Sequence, residues 1–265
     1  MMDSATLSLF MGKFIIALLF FIRISSFFFV APIFSNSGVI PHLKIIIAIF
    51  LTLFITTSFW NDQPQIDFHL WNIVLLAFKE LMVGFAIGFS AQLVFYAARF
   101  AGGLIDFDMG YHTSLLFDQN ASSPSLIGQV YDLVVLMVFL LINGHHFLIE
   151  TLFTSFKIVP ISVATPTEAT ISIVVKYATS IFIVAIKIAA PAIIALFVTN
   201  LALALLSRIA PQTNIFILSF QVKVVVGLVI LLVSVPFVVY FIKYSLQDFQ
   251  DITMRWLLSL NPGVI

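Results

Sequence analysis

The stretch Ile171–Leu206, ISIVVKYATSIFIVAIKIAAPAIIALFVTNLALALL, carries two charges, Lys176 and Lys187, and no acidic group. About 20 mostly apolar residues cross a bilayer, and a helix satisfies its backbone polar groups internally, so this run reads as a membrane helix. At about 1.5 Å per residue it extends roughly 54 Å, beyond a hydrocarbon core of about 30 Å. Outward from it lie Ile215 to Tyr244 on one side and Leu126 to Leu148, Leu70 to Phe100, Ile45 to Phe59 and Phe14 to Ala31 on the other. Ile45 to Phe59 is short for a bilayer, whereas the third, fifth and sixth runs are overlong. The 265-residue chain is 62% hydrophobic and 9% charged with a mean hydropathy of +1.16, against about 45–50% apolar and 25% charged in soluble domains. The fold class is an all-α integral membrane protein of about six long hydrophobic helices.

Several functions are excluded early. Lys plus Arg and Asp plus Glu both number 12, so no basic surface points to nucleic acid. The absence of cysteine removes disulfides, thiol nucleophiles and thiolate metal sites. His145, His146 and Glu150 do not form the H-E-x-x-H zinc pattern. Neither a phosphate-binding Walker motif nor a dinucleotide glycine fingerprint is present. The chain is therefore read as a non-enzyme with no cofactor, metal or catalytic residue. At the N-terminal end Lys13 precedes an apolar run that Arg23 interrupts without a small-residue cleavage pattern, and this is read as an uncleaved helix.

Overlong helices in a small protein point to burial against other protein, with kinks available at Pro191 and Pro236. The connections are short except Ala101 to Ser125, a run rich in Gly, Asp, Ser and Asn. Loops of that length are usually functional or disordered. A polar stretch, Ile161 to Thr170, separates four helices (residues 1–160) from a closing hairpin (171–244) and a tail (245–265). The hairpin turns at Ala210, Pro211, Gln212, Thr213 and Asn214, beside Arg208, where proline and short polar side chains break the helix.

Charge falls where lipid is expected. Arg23, Lys79, Glu80, Asp132, Lys176, Lys187 and Lys223 all lie inside apolar runs. A basic residue at a helix centre costs about 2.5–3.5 kcal/mol on insertion scales, which argues against lipid-facing positions. Lys176 and Lys187 share one helix face, as do Lys223, Gly227 and Ser234, while Lys79 and Glu80 point about 100° apart and each needs a partner from elsewhere. Two readings stay open: a water-lined path or subunit interface, and snorkelling to the membrane surface. Gly84 and Gly88 form a small-xxx-small pair that permits close helix approach. Asp132 and Asn143 share a helix face, lining a cavity or bonding between helices. Lys44, Arg99 and Arg208 oppose Lys157, Lys243 and Arg255, so the positive-inside rule assigns no orientation. A secondary transporter with a site among these charges competes with a subunit of a larger export complex.

Four patterns bear on the choice. Phe21, Arg23, Pro32, Phe34 and Pro41 form the first; Lys79, Glu80, Leu81, Gly84, Gly88 and Phe89 the second. Gly102, Gly103, Ile105, Met109, Gly110, Phe117 and Asp118 form the third, and Arg208, Ala210, Pro211, Gln212, Asn214 and Phe216 the fourth. In this order they resemble the FliR family, the export-gate component of the bacterial flagellar type III secretion system, whose injectisome relative is SctT. The resemblance implies one copy assembled with FliP and FliQ subunits into a closed helical gate in the inner membrane at the flagellar basal body. Unfolded export substrates would pass through that gate, and FlhB is implied as a further partner at the cytoplasmic side. It also implies a FliP-like first part and a FliQ-like C-terminal hairpin, with Arg23, Lys79, Glu80, Lys176, Lys187 and Lys223 at interfaces or the pore.

The long loop, chiefly Met109 to Ser123, is read as the plug. Gly110 frees the backbone, and Met109, Tyr111, Leu115, Leu116 and Phe117 supply apolar bulk that excludes water. In the family a loop at this place plugs the pore. The alternative is an ordinary surface loop whose hydrophobes pack back onto its own helices.

Overall fold

The computed structural model describes residues 4–35, 40–59, 69–111, 125–161, 164, 167–212 and 214–261. Among them the chain forms seven helices and no strand: α1 (Ser4–Val30), α2 (Pro41–Phe59), α3 (Leu70–Met109), α4 (Leu126–Leu141), α5 (Gly144–Ile158), α6 (Glu168–Ile209) and α7 (Ile215–Ser259). Five are long and apolar enough to cross a membrane, and the bent pair α4–α5 makes a sixth if counted as one span. The all-α membrane class is thus the observed one. α2 opens on Pro41, whose fixed φ and missing N–H suit a first helical turn.

The elements depart from the sequence reading in three places. α3 does not end near Phe100 but continues to Met109, so the first nine residues of the expected loop are helix. The fourth run breaks after Leu141, resumes at Gly144 and bends by 67°. Asn143 at the break has φ 58, a left-handed conformation that its short polar side chain tolerates. Asp132 and Asn143 therefore do not share a continuous helix face. Third, α7 runs through the expected tail to Ser259, because Leu246, Phe249, Thr253, Leu257 and Leu260 are buried at helical spacing. α6 and α7 pass unbroken through Pro191 and Pro236. With 42 and 45 residues they extend about 63 and 68 Å.

The chain divides into two compact units that cut across its order. The first combines Met1–Gln92, Asn143–Tyr177 and Asp248–Ile265. Its core includes Leu19, Phe20, Ile24, Phe27, Phe28, Leu148, Leu152 and Phe156, all buried, with Phe20 edge-on to Phe156 at 4.8 Å. The start of α6 and the end of α7 meet here, where the Ser259 hydroxyl donates to Thr170 Oγ1 (3.1 Å); just beyond, Asn261 Nδ2 donates to the Ile158 carbonyl at the end of α5 (2.7 Å). The Tyr177 hydroxyl donates to the Ser90 carbonyl (2.9 Å). The second unit combines Leu93–Ile142 and Ala178–Gln247. It buries Phe95, Ala98, Ile105, Ile127, Val135, Phe139, Ile188, Leu196 and Val238, with Phe95 edge-on to Phe139 at 5.8 Å.

Candidate functional site: a buried ion pair and the α3–α4 junction

Residues four apart share a helix face, and two such rows meet in the first unit. Glu80, Gly84 and Gly88 line one face of α3; Arg23, Phe27 and Ala31 line the end of α1 and the residue after it. A side chain built on Gly88 would meet Ala31 N at 2.9 Å and Phe27 O at 3.0 Å. One built on Gly84 would lie 2.9 Å from the Arg23 carbonyl carbon and nearer still to its oxygen, closer than Cβ atoms pack. The rows pair with rising numbers on both helices, so α1 and α3 run parallel, and the two glycines set how closely they approach.

That approach brings Glu80 onto Arg23. Arg23 Nε donates to Glu80 Oε2, and both side chains have 0% exposure. The rest of the guanidinium fork serves the C-terminal end of α5: Nη1 donates to the Ser155 carbonyl (3.0 Å) and Nη2 to the Val159 carbonyl (2.9 Å). The Phe156 ring lies 4.5 Å from the guanidinium carbon. Arg23 therefore ties three helices together. Glu80 Oε1 has no donor among the described residues.

The charges separate by burial. Arg23 and Glu80 are fully buried within the chain, and each supplies the other's partner. Lys79 and Lys223 are half-buried, whereas Lys176 and Lys187 are exposed on α6. Gly227 and Ser234, on the face of Lys223, are buried.

In the second unit α3 and α4 run antiparallel with a contact at each turn. Arg99 Nε donates to Asp132 Oδ2 (2.8 Å). One turn on, Gly102 lies against the Gly128 backbone too closely to admit a side chain. One turn further, Asp106 Oδ2 accepts from the Ser125 hydroxyl (2.6 Å) and the Ile127 amide (3.0 Å). α3 then ends: Met109 is buried against Gly227 of α7, and Gly110 has φ 78, a conformation that favours glycine. Tyr111 is half-buried. Leu115, Leu116 and Phe117 of the expected plug lie outside the described residues.

At the hairpin turn Arg208 occupies the last turn of α6, where a cation complements the helix dipole. Pro211 and Gln212 are exposed in the turn, and Asn214 precedes α7 with Oδ1 3.5 Å from the Ile217 amide. Sequence reasoning did not single out Asp106, Ser125, Ser155, Gly102 against Gly128, or Gly227 as the seat of Met109. Two signals were there to be read: Ser125 directly before an apolar run is a helix-start pattern, and Gly102 and Asp106 stand one turn apart.

The family model described as "Bacterial export proteins, family 1" matches residues 14–249. The chain is 35% identical over 250 residues to the "Flagellar biosynthetic protein FliR" of Bacillus subtilis, covering 92% of this chain and 94% of that one. It is 31% identical over 230 residues to the FliR of Escherichia coli (86% and 87%). It is 28% identical over 224 residues to the "Surface presentation of antigens protein SpaR" of Shigella flexneri (84% and 86%). With a match from the first apolar helix to near the end of the last, and relatives aligned over nearly their whole length, the chain belongs to family 1 of the bacterial export proteins.

Proposed function

We propose that the chain is a structural and gating subunit of a flagellar protein-export gate, embedded in the inner membrane at the basal body. The observation that carries this reading is the 35% identity to a flagellar biosynthetic FliR over 92% of the chain. The pattern of exposure supports assembly. Phe197, Leu201, Leu205, Phe216, Leu232 and Val233 of α6 and α7 are exposed large hydrophobics on helices about twice as long as a hydrocarbon core is thick. Neighbouring subunits cover what lipid does not reach. The proposed neighbours are FliP and FliQ relatives, with residues 1–160 as the FliP-like part and 171–244 as the FliQ-like hairpin; FlhB contacts the cytoplasmic side, and unfolded chains pass in transit. Lys176, Lys187 and Lys223 then meet protein or water in the assembly, while Lys79 lies near an interface.

Co-expression with FliP and FliQ relatives is expected to give a discrete complex by size-exclusion chromatography, and the chain alone an aggregate. A stable monomer that transports a solute in liposomes would instead establish the transporter reading. The similarity to SpaR favours an injectisome-type export subunit as a second reading. Restored motility in a Bacillus subtilis strain lacking FliR supports the flagellar one.

The seal is assigned to the connection between α3 and α4, from Met109 onward. Deleting residues 111–117 is expected to leave the complex assembled while membranes that contain it leak small solutes. Unchanged permeability in a correctly assembled deletion complex would place the seal in another subunit.

A further inference from the structure

The first four N–H groups of a helix have no partner within it, and α4 satisfies one of them from a distant part of the chain. Ser125, the residue before α4, accepts from the Gly128 amide in the ordinary capping manner (2.8 Å). The second donor, the Ile127 amide, goes to Asp106, a side chain of α3 that lies 21 residues earlier. Asp106 also accepts the Ser125 hydroxyl, so the capping serine is held by the same carboxylate oxygen that caps the helix. Asp106 is 1% exposed, and its other carboxylate oxygen has no donor among the described residues.

Ser125 by itself supplies an ordinary N-cap for α4. A buried carboxylate adds a desolvation cost, offset by charge-assisted hydrogen bonds and by the positive end of the α4 dipole. What this cost secures is the junction, because Asp106 joins the last turn of α3 to the first turn of α4. It is the outermost contact of the antiparallel ladder whose inner steps are Gly102 with Gly128 and Arg99 with Asp132. Beyond it Met109 packs on Gly227 of α7 and the chain turns at Gly110.

We infer that Asp106 is the positioning residue of this junction: it locks the start of α4 to the end of α3, and the seal depends on that lock. The inference rests on the gate reading given above. Met109 and Gly110 act elsewhere: Met109 packs against Gly227 of α7, and Gly110 makes the turn that ends α3.

The test uses the full chain co-expressed with its partner subunits and reads assembly by size-exclusion chromatography and leak by efflux of a small dye from vesicles. Loss of a charge-assisted hydrogen bond in a buried site predicts a leak about tenfold or more above wild type for Asp106→Ala. Asp106→Asn keeps an acceptor oxygen and leaks less. The pair Asp106→Cys and Ser125→Cys is chemically unique, because the chain has no other cysteine. Reduced, the pair should leak; oxidised to a disulfide, it should reseal the same assembled complex. A residue needed only for folding would not give a leak that reverses with redox state.

If Asp106→Ala assembles and stays tight while deletion of 111–117 leaks, the inference is overturned and the gate reading stands. If neither leaks, the gate reading falls, and the inference with it. If Asp106→Ala does not assemble, the cysteine pair decides: a leak insensitive to oxidation overturns the inference, and resealing supports it.

Discussion

Replacing Arg23 by Met is expected to destabilise the complex more than any other single charge change in the chain. Glu80 would be left with 0% exposure and no donor on either oxygen, since Oε1 already has none among the described residues. The Ser155 and Val159 carbonyls at the end of α5 would lose donors as well. Breaking a buried pair from one side costs about 3–5 kcal/mol, a large share of a typical stability of about 5–15 kcal/mol. For a chain of this size that corresponds to a fall in Tm of roughly 10 °C, measured on the detergent-solubilised complex by loss of its chromatographic peak after heating. Glu80→Gln should cost less, because it keeps the shape and Arg23 retains α5 and the Phe156 ring. Arg23→Met combined with Glu80→Leu should recover part of the loss, as buried pairs replaced by apolar groups often do. A pore-lining arginine gives another pattern, altered export with unchanged Tm, and that result would return Arg23 to the pore.

The fold class was legible because it rests on composition: a chain that is 62% hydrophobic and 9% charged has few places to be other than a membrane. Local chemistry marked the small-xxx-small pair at Gly84 and Gly88 and the hairpin turn around Pro211. The partner of Glu80 was not legible, since 57 residues separate it from Arg23 and helical periodicity says nothing about which distant face arrives. The loop is shorter than its residue types suggest, because Gly102, Gly103, Asp106 and Asp108 read as turn residues by type yet lie in α3. In the structure the missing Cβ at Gly102 admits the α4 backbone, and Asp106 caps it. The break at Asn143–Gly144 carried a turn dipeptide, which the apolar residues on both sides outweighed. The end of α7 was hidden for the opposite reason: Gln247, Asp248, Gln250 and Asp251 lower the hydropathy, while the buried residues keep their helical spacing. Hydropathy locates lipid, and these turns are held by protein.

Gly84→Val is expected to remove nearly all assembled complex, and it separates a helix-propensity effect from a packing effect. In an exposed helix interior, Gly→Ala stabilises by about 1 kcal/mol through propensity. Gly103 provides that reference: a Cβ there meets nothing within 4 Å, so Gly103→Ala should leave the complex unchanged or slightly more stable. At Gly84 the obstructing atoms are the Ser26 hydroxyl oxygen and the Arg23 carbonyl oxygen and carbon; the last two are backbone and cannot swing aside as a side-chain tip does. Overpacking of this kind costs about 1–3 kcal/mol or more even when neighbours adjust. Here adjustment means moving α1 away from α3. That motion carries Arg23 off Glu80, so the steric change and the loss of the ion pair are one event seen from two residues. Gly84→Ala should therefore lower Tm, Gly84→Val should abolish the complex, and the combination of Gly84→Ala with Arg23→Met should cost clearly less than the sum of the two, as expected for coupled neighbours. Strict additivity in that cycle, or a Gly84→Ala complex as stable as the Gly103→Ala one, would show that the glycine face does not hold the ion pair in place.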